Sequence, residues 1–491
     1  MKKGILSHPD KAWMGIGLVI MLVTAWFSVG YHHPDEHYQL LEFYNYRKGL
    51  SPLSDLPWEY ATHCRSALQP FLVYCFSAVL GALGISSPVT LAFVLRLCMA
   101  VFTWYTTCRL IIALAPTLAN RRVQQLYAAM ALFAWFVPYV GVRFSAEAIA
   151  SNCFFLALAM LLEQQQDKQG KPLRLVAIGL LLGFTLFFRL QMGLAYIGLA
   201  IWVLFIRKME VIEWGTIAAC ALVAMGLSVV VDHWFYGIWT FTPYNYFDIN
   251  IVKNVAAKFG VMPWWHYFKQ FAEVGFMPVS IPLMLMYMAG VGRKPLNLLA
   301  MVSATFFIGH FAIGHKELRF LFPMIPAFIY MAAAGIDRAA DASFPKWQLI
   351  VFRVLAGVNI GVLVFKMFTP ASEVVKYYEF IYNYSRQQPT TIVGIGSSPY
   401  KLDVIECNFY KPRNMDIVVV KDTAELRQTL DHIGATRTVI YLSRTLNPDS
   451  MMKPFAAERL YCEYPEWLLN FNFNNWQERS YIWAVYRLKA R

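Results

Sequence analysis

Two short stretches of this chain carry ionisable residues whose types and spacing could do chemistry. The first, "HPDEHYQLLE", starts at His33 and sets Asp35 and Glu36 side by side between His33 and His37. A carboxylate placed this way can take a proton from an attacking hydroxyl. The second, "GHKELRF" at Gly314 to Phe320, offers His315, Lys316, Glu317 and Arg319. Lysine and arginine together hold a phosphate and stabilise its charge as it leaves. Further cations stand at Arg65, Arg143 and Arg189.

Composition says what must position them. The chain has 491 residues, of which 58% are hydrophobic, 16% aromatic and only 15% charged, which excludes a soluble globular surface and indicates a polytopic membrane protein. Windows of about 20 apolar residues, the length of a spanning helix, recur from Ala12 to Met367 and then stop. Eleven spans are expected: Ala12–Gly30, Val89–Leu114, Val123–Tyr139, Ala146–Leu162, Leu175–Phe188, Leu190–Ile206, Gly215–Val231, Val274–Val291, Leu298–Gly314, Phe320–Ala334 and Leu349–Met367. Residues 1–370 form the transmembrane part, with an outer loop at 31–88, and residues 371–491 a small α/β domain with strands at "TTIVGIG", "MDIVVV", "TRTVIYL" and "SYIWAVYRL" and a helix at "DTAELRQTLDHIG".

The net charge of +13 reflects short basic loops rather than a nucleic-acid partner. Lys2, Lys3 and Lys11 place the amino terminus in the cytoplasm, and Arg121/Arg122, Lys168/Lys171/Arg174, Arg207/Lys208, Arg293/Lys294 and Arg338/Lys346 mark later inner loops. Leu68–Gly84 then reads as an interfacial or re-entrant helix on the outer face, and the C-terminal domain lies outside. On this topology the unusual polar residues all fall on the outer side, as one site lining a cavity would require. No matched broken helices point to a secondary transporter. An enzyme on that face lies away from the nucleotide pools, so a lipid-phosphate donor is the natural source of an activated group. Glycosyl transfer would use the carboxylates as base and the cations as phosphate holders.

The ordered motifs "HPDEHYQLLE", "PWEYATHCRS", "VDHWFYGIW" and "HKELRFLFPMIP" closely resemble glycosyltransferase family 22, multi-pass enzymes of the GT-C fold that include the GPI and dolichol-linked-oligosaccharide mannosyltransferases. The resemblance covers roughly the first two-thirds of the chain. It implies an inverting transfer of mannose from polyprenyl- or dolichyl-phosphate mannose to a lipid-linked glycan. It also implies roles: Asp35 and Glu36 match the acidic motif, Trp58, Glu59, Arg65 and Ser66 the next, Asp232, Tyr236 and Gly237 the central loop, and His315, Lys316, Glu317, Arg319 and Phe320 the late one. Departures are Pro57 before the tryptophan, His233 in place of serine, Arg189-Leu190-Gln191 without a proline, and "SSPY" (Ser397 to Tyr400) as the remnant of a terminal motif. The acceptor stays open on these grounds. Another sugar, a protein or lipid A acceptor, or a non-enzymatic lipid-linked-glycan transporter are the alternatives.

Bland explanations compete for several residues. Glu36 suits a helix start, Arg143 and Glu147 are spaced as an i,i+4 ion pair, and "HKELRF" could be a snorkelling cluster at a span end. A metal at His32, His33, Asp35, Glu36 and His37 is not expected, because no HExxH-like spacing is present; no cofactor is required. Six of the eight cysteines lie in or beside apolar segments, while Cys407 and Cys462 could form a disulfide in an oxidising compartment. A bacterial inner membrane is the first expectation for location, with the endoplasmic reticulum as the other.

Overall fold

The computed structural model describes residues 8–166, 172–274, 277–337, 343–387, 390–396, 398–402, 405–413, 415–433 and 438–488. Lys2, Lys3, Lys168, Lys171, Arg338 and Ser397 lie outside the described residues. The chain divides into two compact units, each assembled from separate stretches. One comprises Met1–Ser28, Trp58–Phe76 and Phe93–Thr369, the other Val29–Pro57, Ser77–Ala92 and Pro370–Arg491.

The first unit is helical. Among the described residues, six helices are long and apolar enough to cross a membrane, seven if a bent pair counts as one span. That pair is Met277–Arg293 and Leu298–Ala312, which meet at 117°. Many side chains along Val211–Tyr236 face outward, with Leu222 66% and Val223 57% exposed, as a lipid-facing helix in hydrocarbon would have them. Facing the other way, Phe154, Val302, Phe306, Ala327 and Tyr330 build a core without exposed surface. Asn120 starts the helix Arg121–Phe133 by accepting the Arg122 amide at 3.0 Å, and Asn297 starts Leu298–Ala312 by accepting the Leu299 amide at 2.9 Å. Gly237 ends Val211–Tyr236 in the left-handed region at φ 77°, a conformation that costs glycine nothing.

Some expected spans are interrupted. Val123–Tyr139 breaks between Arg121–Phe133 and Phe136–Gly141, and Leu190–Ile206 opens as a 3₁₀ turn, Leu190–Met192, before the helix Gly193–Ile201. The helix Leu68–Ala82 has 15 residues, short of the roughly 20 that cross a bilayer. Its Phe71 and Tyr74 pack edge-on against Trp234.

Among its described residues the second unit holds seven strands: β1 (Thr390–Ile395), β2 (Lys401–Leu402), β3 (Ile405–Glu406), β4 (Met415–Val420), β5 (Thr438–Thr445), β6 (Glu458–Cys462) and β7 (Ile482–Leu488). Five of them form a sheet in the order β4-β1-β5-β7-β6; β1 runs parallel to β4 and β5, and β7 antiparallel to β5 and β6. The helix Thr423–His432 is the parallel crossover, started by Asp422, whose carboxylate accepts the amides of Ala424 and Glu425 at 2.9 Å each. Gly396, at φ 76°, makes the turn after β1, so "VGIGSS" is a strand-to-loop corner. Cys407 and Cys462 are both free thiols.

The stretch Val29–Pro57 belongs to this same unit. Its chain is tied to the C-terminal part by the Val29 carbonyl, which accepts the Ala371 and Ser372 amides at 2.8 and 3.1 Å. Asn408 adds a bond to Asp55 at 2.8 Å.

Candidate active site

In the helical unit, the sequence around Glu147 dictates where its carboxylate goes. Ser145 caps the helix Ala146–Gln166, its hydroxyl accepting the Ala148 amide at 3.2 Å, which places Glu147 in the first turn, where a carboxylate is favoured. Arg189 reaches the same carboxylate from the break between Pro172–Phe188 and Leu190–Met192, at 2.7 Å. Arg319 approaches from the 3₁₀ segment Leu318–Met324, 3.5 Å from Glu147 Oε1 and 2.5 Å from Glu317 Oε2. Both guanidinium groups lie against the Phe320 ring, at 5.3 and 5.2 Å from its centroid.

His315 and Lys316 complete the motif differently. His315 is held between the Gly260 carbonyl, at 3.1 Å, and Glu317 Oε1, at 2.9 Å. Lys316 turns its ammonium back onto the end of the helix Leu298–Ala312, donating to the carbonyls of Phe311 at 3.0 Å, His310 at 3.4 Å and Ile313, and lying 5.5 Å from the Tyr267 ring centroid. A cation at a helix C-terminus is favoured there whatever else it does.

Arg65 is presented by a buried clamp. Asp232, without exposed surface, accepts the Ala67 amide at 2.6 Å, the Ser66 hydroxyl at 3.0 Å and the Thr242 hydroxyl at 2.7 Å. Tyr236 donates to the Arg65 carbonyl at 2.6 Å. The Arg65 guanidinium lies 5.1 Å from the Tyr246 ring centroid, and the Tyr246 hydroxyl accepts from Gln191 at 2.5 Å, two residues beyond Arg189. The charges of Arg65 and Arg319 both act on Arg189. Thus Arg65, Arg189, Arg319 and Glu147 form one cluster, with Asp232 and Tyr236 behind it.

Arg189 is the group whose donors are left over. It is 4% exposed, and its Nε and Nη2 find no hydrogen-bond acceptor among the described residues. A buried guanidinium with unused donors is costly unless an anion completes it.

Other expected site residues stand elsewhere. Arg143 donates to Ser28 through its backbone carbonyl at 2.8 Å and its hydroxyl, and to the Tyr139 carbonyl at 3.2 Å. Glu59 is buried, and Trp58, 38% exposed, stacks on Phe259 with ring centroids 6.3 Å apart. Glu147 emerges as the anion that gathers the arginines. Its only sequence signal was a position four residues past Arg143, which suggested a different partner.

In the second unit, Asp35 and Glu36 have unlike surroundings. Glu36 accepts the His32 amide at 3.1 Å, closing the turn that precedes the short helix Asp35–His37. Asp35 stands 3.7 Å from His33 Nδ1 with 28% of its side chain exposed, so a hydroxyl can reach it. His37 is turned inward, its Nε2 bonded to Glu42 Oε1 at 2.8 Å.

Comparison with known proteins gives this arrangement a family. ArnT from Cupriavidus metallidurans, solved bound to undecaprenyl phosphate, matches over 98% of both chains with a TM-score of 0.52 at 13% identity. The arabinofuranosyltransferase AftD from Mycobacteria matches over 100% of this chain and 40% of its own, with a TM-score of 0.50 at 14% identity. At such identities the likeness is one of fold, and the fold is the GT-C type of membrane glycosyltransferases. Among curated proteins, GPI mannosyltransferase 3 of Gibberella zeae is 24% identical over 370 residues, 64% of this chain and 58% of that one. The human GPI alpha-1,2-mannosyltransferase 3 is 24% identical over 303 residues, 60% of this chain and 51% of that one. The chain therefore spans between half and three-fifths of the length of these relatives. The family model that matches residues 13–405 is that of the Alg9-like mannosyltransferases, and this multi-pass membrane chain belongs to that family.

Proposed function

We propose that this chain is an inverting mannosyltransferase that moves one mannose from a polyprenyl- or dolichyl-phosphate donor to a lipid-linked glycan on the extracytoplasmic face of a membrane, with Asp35 as the base. A bacterial inner membrane is the proposed location. The observation that carries the reading is the pair of unused donors on buried Arg189, beside Arg319 and Arg65. Phosphate oxygens supply the acceptors that such a guanidinium lacks, and a fork of N–H groups suits them. In this reading Arg189 and Arg319 hold the donor phosphate and stabilise its charge as the glycosidic oxygen leaves. Asp35 takes the proton from the acceptor hydroxyl as that oxygen attacks the anomeric carbon. Lys316 positions the end of its helix, and Asp232 positions Arg65.

The test is transfer of radiolabelled mannose from synthetic polyprenyl-phosphate mannose to a membrane lipid extract, with donor binding measured in parallel. Asp35→Asn is expected to lower turnover at least about a hundredfold and leave donor binding within about twofold. Arg189→Gln is expected to weaken donor binding at least about tenfold. Full turnover in Asp35→Asn would remove Asp35 from the chemistry. Movement of the donor lipid across a bilayer without cleavage would replace the transferase by a transporter.

A further inference from the structure

The second unit contains a buried trio that the proposed sugar transfer does not use. One ligand-capable atom from each of His37, Glu42 and Cys407 lies within 4.8 Å of the other two, and all three side chains are buried. We infer that His37, Glu42 and Cys407 form a binding site for a single divalent transition-metal ion of the zinc class.

The donor set fits such an ion. A thiolate, an imidazole nitrogen and a carboxylate oxygen are the ligands zinc takes in proteins, and the thiolate disfavours magnesium and calcium. Ligands about 2.0–2.3 Å from one zinc stand about 3.3–3.8 Å apart in a tetrahedron, so the trio needs to contract by at most about 1.5 Å. Charge also balances: a thiolate and a carboxylate with a neutral imidazole carry two negative charges, and a dication makes the buried group neutral.

Two further observations favour an occupant. The Nδ1 atom of His37 is buried and reaches no nitrogen or oxygen partner among the described residues, and the group it interacts with is the Cys407 thiol. An ion held by His37 and Glu42 together would take the place of the proton in the 2.8 Å bond between Nε2 and Glu42 Oε1. Glu42 is also fixed in advance, since its Oε1 accepts the Phe409 amide at 2.8 Å and its Oε2 receives the Ser51 hydroxyl at 3.4 Å. A bound ion would cross-link the segment two residues beyond Asp35 to the Cys407–Phe409 stretch within this unit. The inference stands whether or not the chain transfers mannose.

The full-length protein in detergent, stripped of metal under reductant, is titrated with zinc against a chromophoric chelator, and separately with cobalt. Wild type is expected to bind one equivalent of zinc with submicromolar affinity and to give the near-ultraviolet charge-transfer band of a cobalt–thiolate bond. Cys407→Ser is expected to lose that band and to weaken zinc binding at least tenfold, while Cys462→Ser changes neither. Wild-type protein that yields no thiolate band and releases all zinc to the chelator would overturn the site, leaving the trio as a buried hydrogen-bonded cluster. That arm decides the matter even if Cys407→Ser fails to fold. Loss of the band in Cys462→Ser but not in Cys407→Ser would overturn it equally.

Discussion

A single carboxylate, Asp232, shows how one residue can fix the backbone that carries another's charge. Its Oδ1 accepts the Ala67 amide and the Ser66 hydroxyl, and its Oδ2 the Thr242 hydroxyl. Asp232→Asn keeps Oδ1 for the Ala67 amide but sets an amide NH2 against the Thr242 hydroxyl, which must turn to accept, and replacing charge-assisted bonds by neutral ones costs about 1 kcal/mol. The expected outcome is a lower apparent melting temperature together with a raised donor KM, because Arg65 is carried on the backbone that Asp232 holds. A fall in kcat with unchanged KM would instead put Asp232 in the chemistry. The sequence made the acidic and basic candidates visible because they interrupt apolar runs. Their pairing was not visible: Glu147 meets Arg189 and Arg319, 42 and 172 positions further along the chain, and no local spacing encodes such a contact.

Apolar helices were legible at the scale of elements, since hydropathy over some 20 residues follows directly from the thickness of hydrocarbon, but eleven spans were expected and six or seven helices among the described residues are long and apolar enough to cross. Breaks within them were less so. The clearest case is Tyr38–Glu42, a π-helical turn between Asp35–His37 and Phe43–Arg47. In an α-helix His37 and Glu42, five positions apart, would point about 140° away from each other. The i-to-i+5 bonding of a π turn widens the ring and brings such a pair together, so the His37–Glu42 contact depends on a feature that α-periodicity hides.

Helix crossings supply another prediction at this scale. Gly335 of the helix Ile325–Ile336 abuts the Met286 carbonyl, and Gly290 abuts that of Met331, so a Cβ on either would overlap backbone. Glycine in mid-helix ordinarily costs up to about 1 kcal/mol relative to alanine, but here the close crossing reverses the sign. Gly335→Ala is expected to destabilise by about 1–3 kcal/mol, seen as an earlier apparent unfolding transition in detergent. Unchanged or raised stability would mean that the two helices can part without cost.

The end of β6 gives a pH dependence. Burial, with the Glu373 charge nearby, raises the Glu463 carboxyl from 4.5 to about 7, against the opposing bond from the Trp483 amide at 3.1 Å. The folded state then favours the protonated form. Its contribution to stability is complete below the unfolded value and fades as pH rises through about 7. After discounting for solvent screening at this half-exposed site, about 1 kcal/mol is at stake. Apparent melting temperature of the full chain should therefore fall between pH 5 and pH 8, and Glu463→Gln should flatten that slope. An unaltered slope in the variant would assign the effect to other groups.

The whole molecule divides in a way that a left-to-right reading does not suggest. Hydropathy puts a boundary near residue 370, whereas the compact unit containing β1 to β7 also takes in Val29–Pro57 and with it Asp35. The reason lies in the backbone and polar bonds that tie this stretch down: the Val29 carbonyl to the Ala371 and Ser372 amides, Glu42 to the Phe409 amide and Asp55 to Asn408. Deleting residues 371–491 would leave the buried Glu42 carboxylate without its amide donor and strip the walls from His37 and Tyr38, a loss that a stretch of short helices has no other means to offset. A chain ending at residue 370 should still insert, since its spanning helices and their core are complete. It should lose the proposed mannose transfer, and limited proteolysis should cut it faster between residues 30 and 57 than it cuts the full chain. Retained transfer by the shortened chain would show that the Asp35 segment holds its working conformation without the C-terminal part. Resistance to proteolysis combined with loss of transfer would instead give the C-terminal part a direct hand in acceptor binding.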